Sequence, residues 1–257
     1  MRQKRFFLTE SEIPTRWYNI TADMQNKPQQ MLSPATGKPI TEDELAELFS
    51  RECSRQELNT TDRWIEIPDE VREKYTYYRS TPLVRAYGLE EGLGLLPIYI
   101  SSALAQAYYC KKEGVTNITT ETGAGQWGTA LAYASKVFGA LVTPSPSMST
   151  RAGKDILTKS PNYQGSLGTA ISEAVELARM TPGCKYALGS VMSHVTLHQT
   201  VIGLEAEKQM EIAGEYPDIV IACFGGGSNF GGLCFPFLRH SLSGKRKTRF
   251  IAAEPAT

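Results

Sequence analysis

No apolar stretch in this sequence approaches the roughly 18 residues that a membrane-spanning helix needs. The basic start Met1-Arg-Gln-Lys-Arg is followed by too short an apolar run for a signal peptide. Together these absences predict a soluble, cytoplasmic protein with no membrane partner. Neither sign of charge is in excess. Lys+Arg and Asp+Glu both total 27, so nucleic acid and anionic membrane surfaces are not expected as main partners. Histidine is scarce, at three residues. His194 and His198 have the i, i+4 spacing of a zinc pair, but Val195 stands where a zincin needs glutamate and no third ligand is evident, so no metal site is expected from side chains. The five cysteines form no Cys-x-x-Cys pair and mostly sit in apolar patterns. Cys53, Cys110, Cys184, Cys223 and Cys234 therefore read as reduced core residues.

Two nucleotide signatures are also missing. A dinucleotide fingerprint counted from Gly225 needs glycine where Phe230 stands, and the Gly-Lys-Ser/Thr of a P-loop does not occur. What is present is the stretch Ile219 to Gly232, Ile-Val-Ile-Ala-Cys-Phe-Gly-Gly-Gly-Ser-Asn-Phe-Gly-Gly. Its apolar, β-branched start fits a buried parallel strand, and its glycines followed by Ser228 and Asn229 fit a tight turn into a helix N-terminus. Glycines let successive backbone N–H groups face one concavity, and the helix dipole adds partial positive charge. The stretch is an anion cradle for a phosphate that belongs to neither NAD nor ATP.

With 257 residues and 41 % hydrophobic composition, the chain can build one large or two moderate domains. Residues 1 to 40 read as irregular, with Trp17 and Tyr18 as anchors onto a larger body. Thr41 and Glu44 have capping-box spacing before a short helix, and a second helix is expected after Pro68. From Thr81 onward, strands (Pro97–Ile100, Asn117–Thr120, Leu141–Thr143, Tyr186–Leu188, Ile219–Phe224, Phe250–Ala253) alternate with helices. The helices are expected from Ser101 or Ser102 to Glu113 and over Gln126–Phe138, Leu167–Met180, His198–Ile212 and Asn229–Arg239. This alternation predicts an α/β fold with parallel sheets and helices on both faces. In such folds ligands bind at the carboxyl ends of strands. A second glycine turn, Glu121-Thr-Gly-Ala-Gly-Gln-Trp-Gly, falls at such an end. It offers N–H groups and the side chains of Thr122 and Gln126 to a small carboxylate, and its one acid, Glu121, is a candidate proton donor and acceptor.

Phosphate cradle, carboxylate turn and α/β frame together resemble the fold-type II pyridoxal-phosphate enzymes. Arg79-Ser-Thr-Pro-Leu-Val, the Glu121 turn, Gly189-Ser190, and Gly225-Gly-Gly-Ser-Asn with Glu254 downstream resemble the tryptophan synthase β-chain. Ile13-Pro-Thr-Arg-Trp-Tyr-Asn-Ile, Gly165-Ser-Leu-Gly-Thr-Ala-Ile-Ser-Glu-Ala and His194-Val-Thr-Leu-His-Gln-Thr-Val-Ile-Gly are similar to its second type. So is Trp127, where the commoner type carries histidine. The resemblance implies that indole and serine, or an activated serine, are joined to make tryptophan through a β-elimination and a β-addition. It places Gly225, Gly226, Gly227, Ser228 and Asn229 on the phosphate of pyridoxal 5'-phosphate, with Ser190 and Glu254 near the cofactor. It places Thr122, Gly123, Ala124, Gly125 and Gln126 on the substrate carboxylate, with Glu121 as the acid that helps the serine substituent leave. A homodimer, a monovalent cation held by backbone carbonyls and a tryptophan synthase α-chain partner are implied in the same way.

The domains expected on this basis are an N-terminal extension over 1–79, a cofactor domain from 80–100 and 192–257, and a smaller, incomplete substrate-carboxylate domain over 101–191. One part of the chemistry has no candidate. The family's Schiff-base lysine lies between the strand and helix that here abut at Ile100 and Ser101, although βα loops need about two to six residues. Lys111 and Lys112, about three turns along the helix, read as a solvated helix end. Further shortages fall near Phe138 to Ser147 and after Thr257. The expectation is therefore a longer protein with additional residues at these places, among them the lysine. Another replacement enzyme of the cysteine or threonine synthase type is the first alternative, against which Glu121 argues. The second is a non-catalytic cofactor-binding protein, which would follow if the chain is complete.

Overall fold

Capping residues and apolar periodicity set most of the boundaries in the computed structural model, which describes residues 5–84, 99–122, 126–138, 141–144, 150–163 and 166–254. In chain order the elements are β1 (Arg5–Phe6), β2 (Arg16–Tyr18), α1 (Glu42–Ala46), α2 (Arg51–Leu58), β3 (Trp64–Glu66), α3 (Asp69–Tyr75), β4 (Leu83–Val84) and α4 (Tyr99–Lys112). They continue with β5 (Asn117–Thr120), α5 (Gln126–Phe138), β6 (Leu141–Pro144), α6 (Arg151–Lys159), α7 (Leu167–Met180) and β7 (Cys184–Tyr186). The last are α8 (Ser193–Ile212), β8 (Ile219–Cys223), α9 (Ser228–Leu242) and β9 (Arg249–Ala253). The chain divides into two compact units, one of residues 1–28, 59–101 and 190–257, the other of residues 29–58 and 102–189.

In the first unit β8 and β9 pair in parallel, with Ile219 opposite Arg249 and Cys223 opposite Ala253. Val220 and Ala222 turn inward against Cys234 and Phe237 of α9. Helices α8 and α9 pack so closely that a β-carbon on Gly203 would lie 2.5 Å from the Leu233 carbonyl oxygen, and one on Gly232 would lie 2.7 Å from Gln199 Cβ. Helix α8 is buried on nearly every side. It accepts Trp17, whose ring lies 4.5 Å from that of His198, and Tyr18, whose N–H donates to Thr200 Oγ1. Arg79 and Glu205 form an ion pair sealed from solvent, with Nε donating to Oε1 at 2.7 Å. Gln209 donates to the carbonyls of Phe6 and Thr81, next to the antiparallel pair of β1 and β4.

The second unit holds a parallel sheet in the order β6-β5-β7. Thr41 caps α1 through a capping box with Glu44, as its spacing predicts. Ser166 caps α7 and Thr150 caps α6. The Glu176 carboxylate accepts from the N–H groups of Arg151 and Ala152 in the first turn of α6, where negative charge is favoured.

Several expectations change. Of the strand expected over Pro97–Ile100, Tyr99 and Ile100 are helical and Pro97 and Ile98 lie outside the described residues. Ser102 is buried inside α4 and so does not cap it. A four-residue apolar run cannot by itself be told from a buried helical segment. The strand expected at Tyr186–Leu188 sits two residues earlier, and residues 1 to 40, expected to be irregular, contain β1 and β2. Strand β8, expected to be buried, alternates instead. Ile219, Ile221 and Cys223 are exposed because among the described residues one layer, α8 with α9, covers the pair β8–β9. Cys223 is thus the exception to the reading of the cysteines as core; the other four are buried.

Candidate active site

At the end of β8 the chain turns through Gly225, Gly226 and Gly227 into α9. Gly227 is the N-cap residue, at φ 90° and ψ −20°, in the left-handed region that glycine enters without strain. Gly227 has no side chain with which to cap the helix, and the first turn of α9 presents backbone N–H groups at its N-terminus. Ser228, the first helical residue, is buried, Asn229 is half-buried, and Gly225 and Gly226 are exposed. Gly226 lies against Ser190, where any β-carbon would overlap the serine side chain, and its carbonyl accepts the Val191 N–H at 3.0 Å. The structure therefore sets Ser190 against Gly226 of the Gly225–Asn229 turn. Glu254 stands exposed one residue past β9, and β9 joins the cradle segment where the Phe224 N–H donates to the Ala253 carbonyl.

Val191 was not legible from the sequence. It holds φ 76°, a conformation a β-branched residue rarely adopts, and its side chain is exposed. With Tyr18, Met24, Pro28, Leu197 and Phe235 it lines a cavity of about 230 Å³.

The second unit holds the acidic turn. Glu121 and Thr122 follow β5 directly, Gln126 opens α5, and Gly123, Ala124 and Gly125 lie outside the described residues. Thr122 Oγ1 accepts from the Gly128 N–H at 3.3 Å and so braces the turn from inside. Trp127 is buried. Its indole N–H donates to Thr120 Oγ1 at 2.6 Å, and its ring covers Gly189, where a β-carbon would come within 2.8 Å. Thr120 in turn donates to the Ala187 carbonyl at 2.6 Å. Burial raises the Glu121 pKa above the ordinary carboxylate value, while a hydrogen bond from Tyr186 opposes part of that rise. A half-buried carboxyl with raised proton affinity at the carboxyl end of a strand is equipped to give and take a proton.

His194 and His198 are both fully buried, and burial pushes the His198 pKa well below its usual value. They pack the core of α8 on Trp17. Lys111 and Lys112 are exposed at the end of α4, as expected. Among the described residues no group of three metal-ligating side chains occurs, and no helix is long and apolar enough to cross a membrane.

Residues 75–257 match the family described as pyridoxal-phosphate dependent enzyme. The chain belongs to that family. Its cofactor is accordingly pyridoxal phosphate, and its fold is the α/β, fold-type II class that the motifs implied. Among curated relatives it is similar to tryptophan synthase beta chain 2 of Aeropyrum pernix, 47 % identical over 98 % of this chain and 65 % of the relative. The corresponding chain of Thermotoga maritima is 46 % identical over 97 % of this chain and 68 % of its own length. That of Methanosarcina mazei is 42 % identical over 100 % and 67 %. The chain thus spans about two thirds of the length of these relatives. The Methanosarcina alignment runs over 296 residues against 257 here, so at least 39 of its positions have no counterpart in this chain.

The residues present fit the phosphate end of the family's cofactor. The left-handed Gly227 at the N-terminus of α9 and the open space beside Gly225, where a β-carbon would meet nothing within 4 Å, leave a backbone turn that an anion can approach, while Gly226 must be glycine because Ser190 fills the place of a side chain.

Proposed function

We propose that this chain carries the β-replacement chemistry of tryptophan synthesis, joining indole to L-serine or an activated serine. Similarity to relatives named tryptophan synthase beta chain across nearly all of the chain supports the reading. The observation that carries it is the place of Glu121, a half-buried carboxyl directly after β5 at the strand end where substrate is expected. When bound, pyridoxal phosphate supplies the electron sink for bond-breaking at the amino acid. Gly225, Gly226, Gly227, Ser228 and Asn229 hold the phosphate through backbone N–H groups and the Ser228 hydroxyl. Ser190 packs beside that grip, and Glu254 is assigned to the cofactor ring. Thr122, Gly123, Ala124, Gly125 and Gln126 orient the substrate carboxylate. Glu121 delivers its proton to the departing serine oxygen. The cavity beside Val191 is of mixed lining, with Asn19, Thr21, Ser193 and Thr196 among its apolar side chains, and is of a size that admits a small aromatic ring such as indole.

In this reading, residues 80–100 and 192–257 form the cofactor domain, 101–191 the substrate-carboxylate domain and 1–79 an N-terminal extension. The cytoplasm, a homodimer, a bound monovalent cation and an α-chain partner belong to the same proposal. The lysine that attaches the cofactor covalently is assigned to residues this chain lacks, among the positions that its relatives carry in addition.

The test is to incubate the protein with pyridoxal phosphate, indole and either L-serine or O-phospho-L-serine and to quantify tryptophan. Tryptophan formation lost in Glu121→Gln supports the reading. Cofactor binding without product, together with no fixation of the cofactor by borohydride, favours instead a binding protein with no covalent attachment.

A further inference from the structure

Glu121 leaves β5 at its carboxyl end, and Tyr186 closes β7, the strand beside it, in a parallel register that sets Thr119 opposite Tyr186. The Tyr186 hydroxyl donates to Glu121 Oε2 at 2.5 Å. The two partners differ in freedom. Tyr186 is 4 % exposed, its N–H donates to the Leu48 carbonyl at 2.8 Å, and its ring lies 5.8 Å from that of Phe49. Glu121 is half-buried, at the start of a glycine turn, with its side chain reaching back to the phenol. Thr120, the residue before it, is pinned on both sides by Trp127 and the Ala187 carbonyl. The fixed ring is therefore the reference point, and the carboxyl is the group whose direction must be set.

We propose that Tyr186 is a positioning residue for Glu121, grasping Oε2 so that Oε1 faces the substrate and exchanges the proton. The inference deepens the reading above and rests on it for the role of Glu121. A phenol O–H on Oε2 leaves Oε1 as the site where a carboxylic proton sits, so the acid is presented in one orientation. The same bond stabilises the negative charge left on Oε2 once that proton has gone. Among the described residues Tyr186 is the titratable group that reaches this carboxyl. Its neighbour Lys185 turns away, to the carbonyls of Ala46 and Glu47. The coupling is mutual: burial first and then the Glu121 carboxyl push the Tyr186 pKa upward, while Tyr186 holds the Glu121 pKa below the value that burial alone would give.

The experiment titrates the cofactor-free protein labelled with [5-13C]glutamate, with the Glu121 resonance assigned by its loss in Glu121→Gln. In Tyr186→Phe the Glu121 midpoint should move upward, because desolvation remains and the stabilising donor is gone. An unchanged or lowered midpoint in a variant with native circular dichroism overturns the proposal. A merely structural tyrosine would change thermal stability and leave this midpoint alone. If Tyr186→Phe fails to fold, the reciprocal measurement decides: the Tyr186 phenol, followed by [13Cζ]tyrosine, should titrate at lower pH in Glu121→Gln, and no movement there overturns the proposal equally. Coupling without tryptophan formation by any form of the protein would sink the functional reading alone, and the two failures are thereby told apart.

Discussion

The cradle rests on single backbone angles, and Gly227 is where they are most demanding. A β-branched side chain at φ 90° adds strain of roughly 1–2 kcal/mol at the one residue that turns the first-turn N–H groups toward an anion. Gly227→Val should therefore bind pyridoxal phosphate about tenfold more weakly or worse, with helical circular dichroism retained. Equilibrium dialysis giving wild-type affinity would remove the cradle from the account. His198 makes a different prediction. Its folded pKa is depressed by burial, so the unfolded chain binds a proton first, and stability present above the ordinary histidine value of about 6.5 is lost as pH falls below it. The slope approaches 1.4 kcal/mol per pH unit for one proton. Melting midpoints between pH 7.5 and 5.5 should fall in the wild type and fall less steeply in His198→Gln. Equal slopes would show that other groups set the acid sensitivity.

Among the elements, α8 and α9 owe their contact to missing side chains. Valine at Gly203 would push into the Leu233 and Gly232 carbonyls, backbone atoms that cannot rotate aside, and should cost at least the 1–3 kcal/mol typical of overpacking. Urea unfolding of Gly203→Val measures this, and a midpoint equal to wild type would mean that the helices can separate freely. Loss of the capping box in Thr41→Ala should cost about 1 kcal/mol, read the same way. Elements with strong local signals were legible in the sequence. The Gln126–Phe138 and Leu167–Met180 helices and the Asn117–Thr120 strand sit where periodicity put them. The helix over Arg51–Leu58 was not legible, because its buried face is carried by Cys53, Ser54 and Gln56 rather than by an apolar stripe. Nor were β1 to β4, short strands whose pairing joins residues far apart, such as Arg5 and Val84. The candidate site divides in the same manner. Gly227 and Glu121 stand out as letters, whereas the left-handed Val191 and the Tyr186 grip on Glu121 depend on contacts that no local pattern announces.

At the scale of the molecule, the chemistry proposed for the cradle calls for a lysine, and the alignment with the Methanosarcina relative holds at least 39 positions without a counterpart in this chain. Ile100 and Ser101, the expected meeting point of a strand and a helix, lie inside α4, so the shortage is not fixed to that junction; the intact protein is still expected to contain additional residues, including a lysine preceded by histidine and followed within two positions by asparagine. Intact mass spectrometry checks this: a mass well above 28.3 kDa supports it, and a mass at that value leaves a cradle without covalent attachment. The outward face of β8 has a practical corollary. Four of the five thiols are buried and Cys223 alone is exposed, two residues before the first glycine of the cradle. This chain thus carries its own attachment point for a maleimide dye, and a fluorophore fixed there would report on the phosphate site without an engineered cysteine.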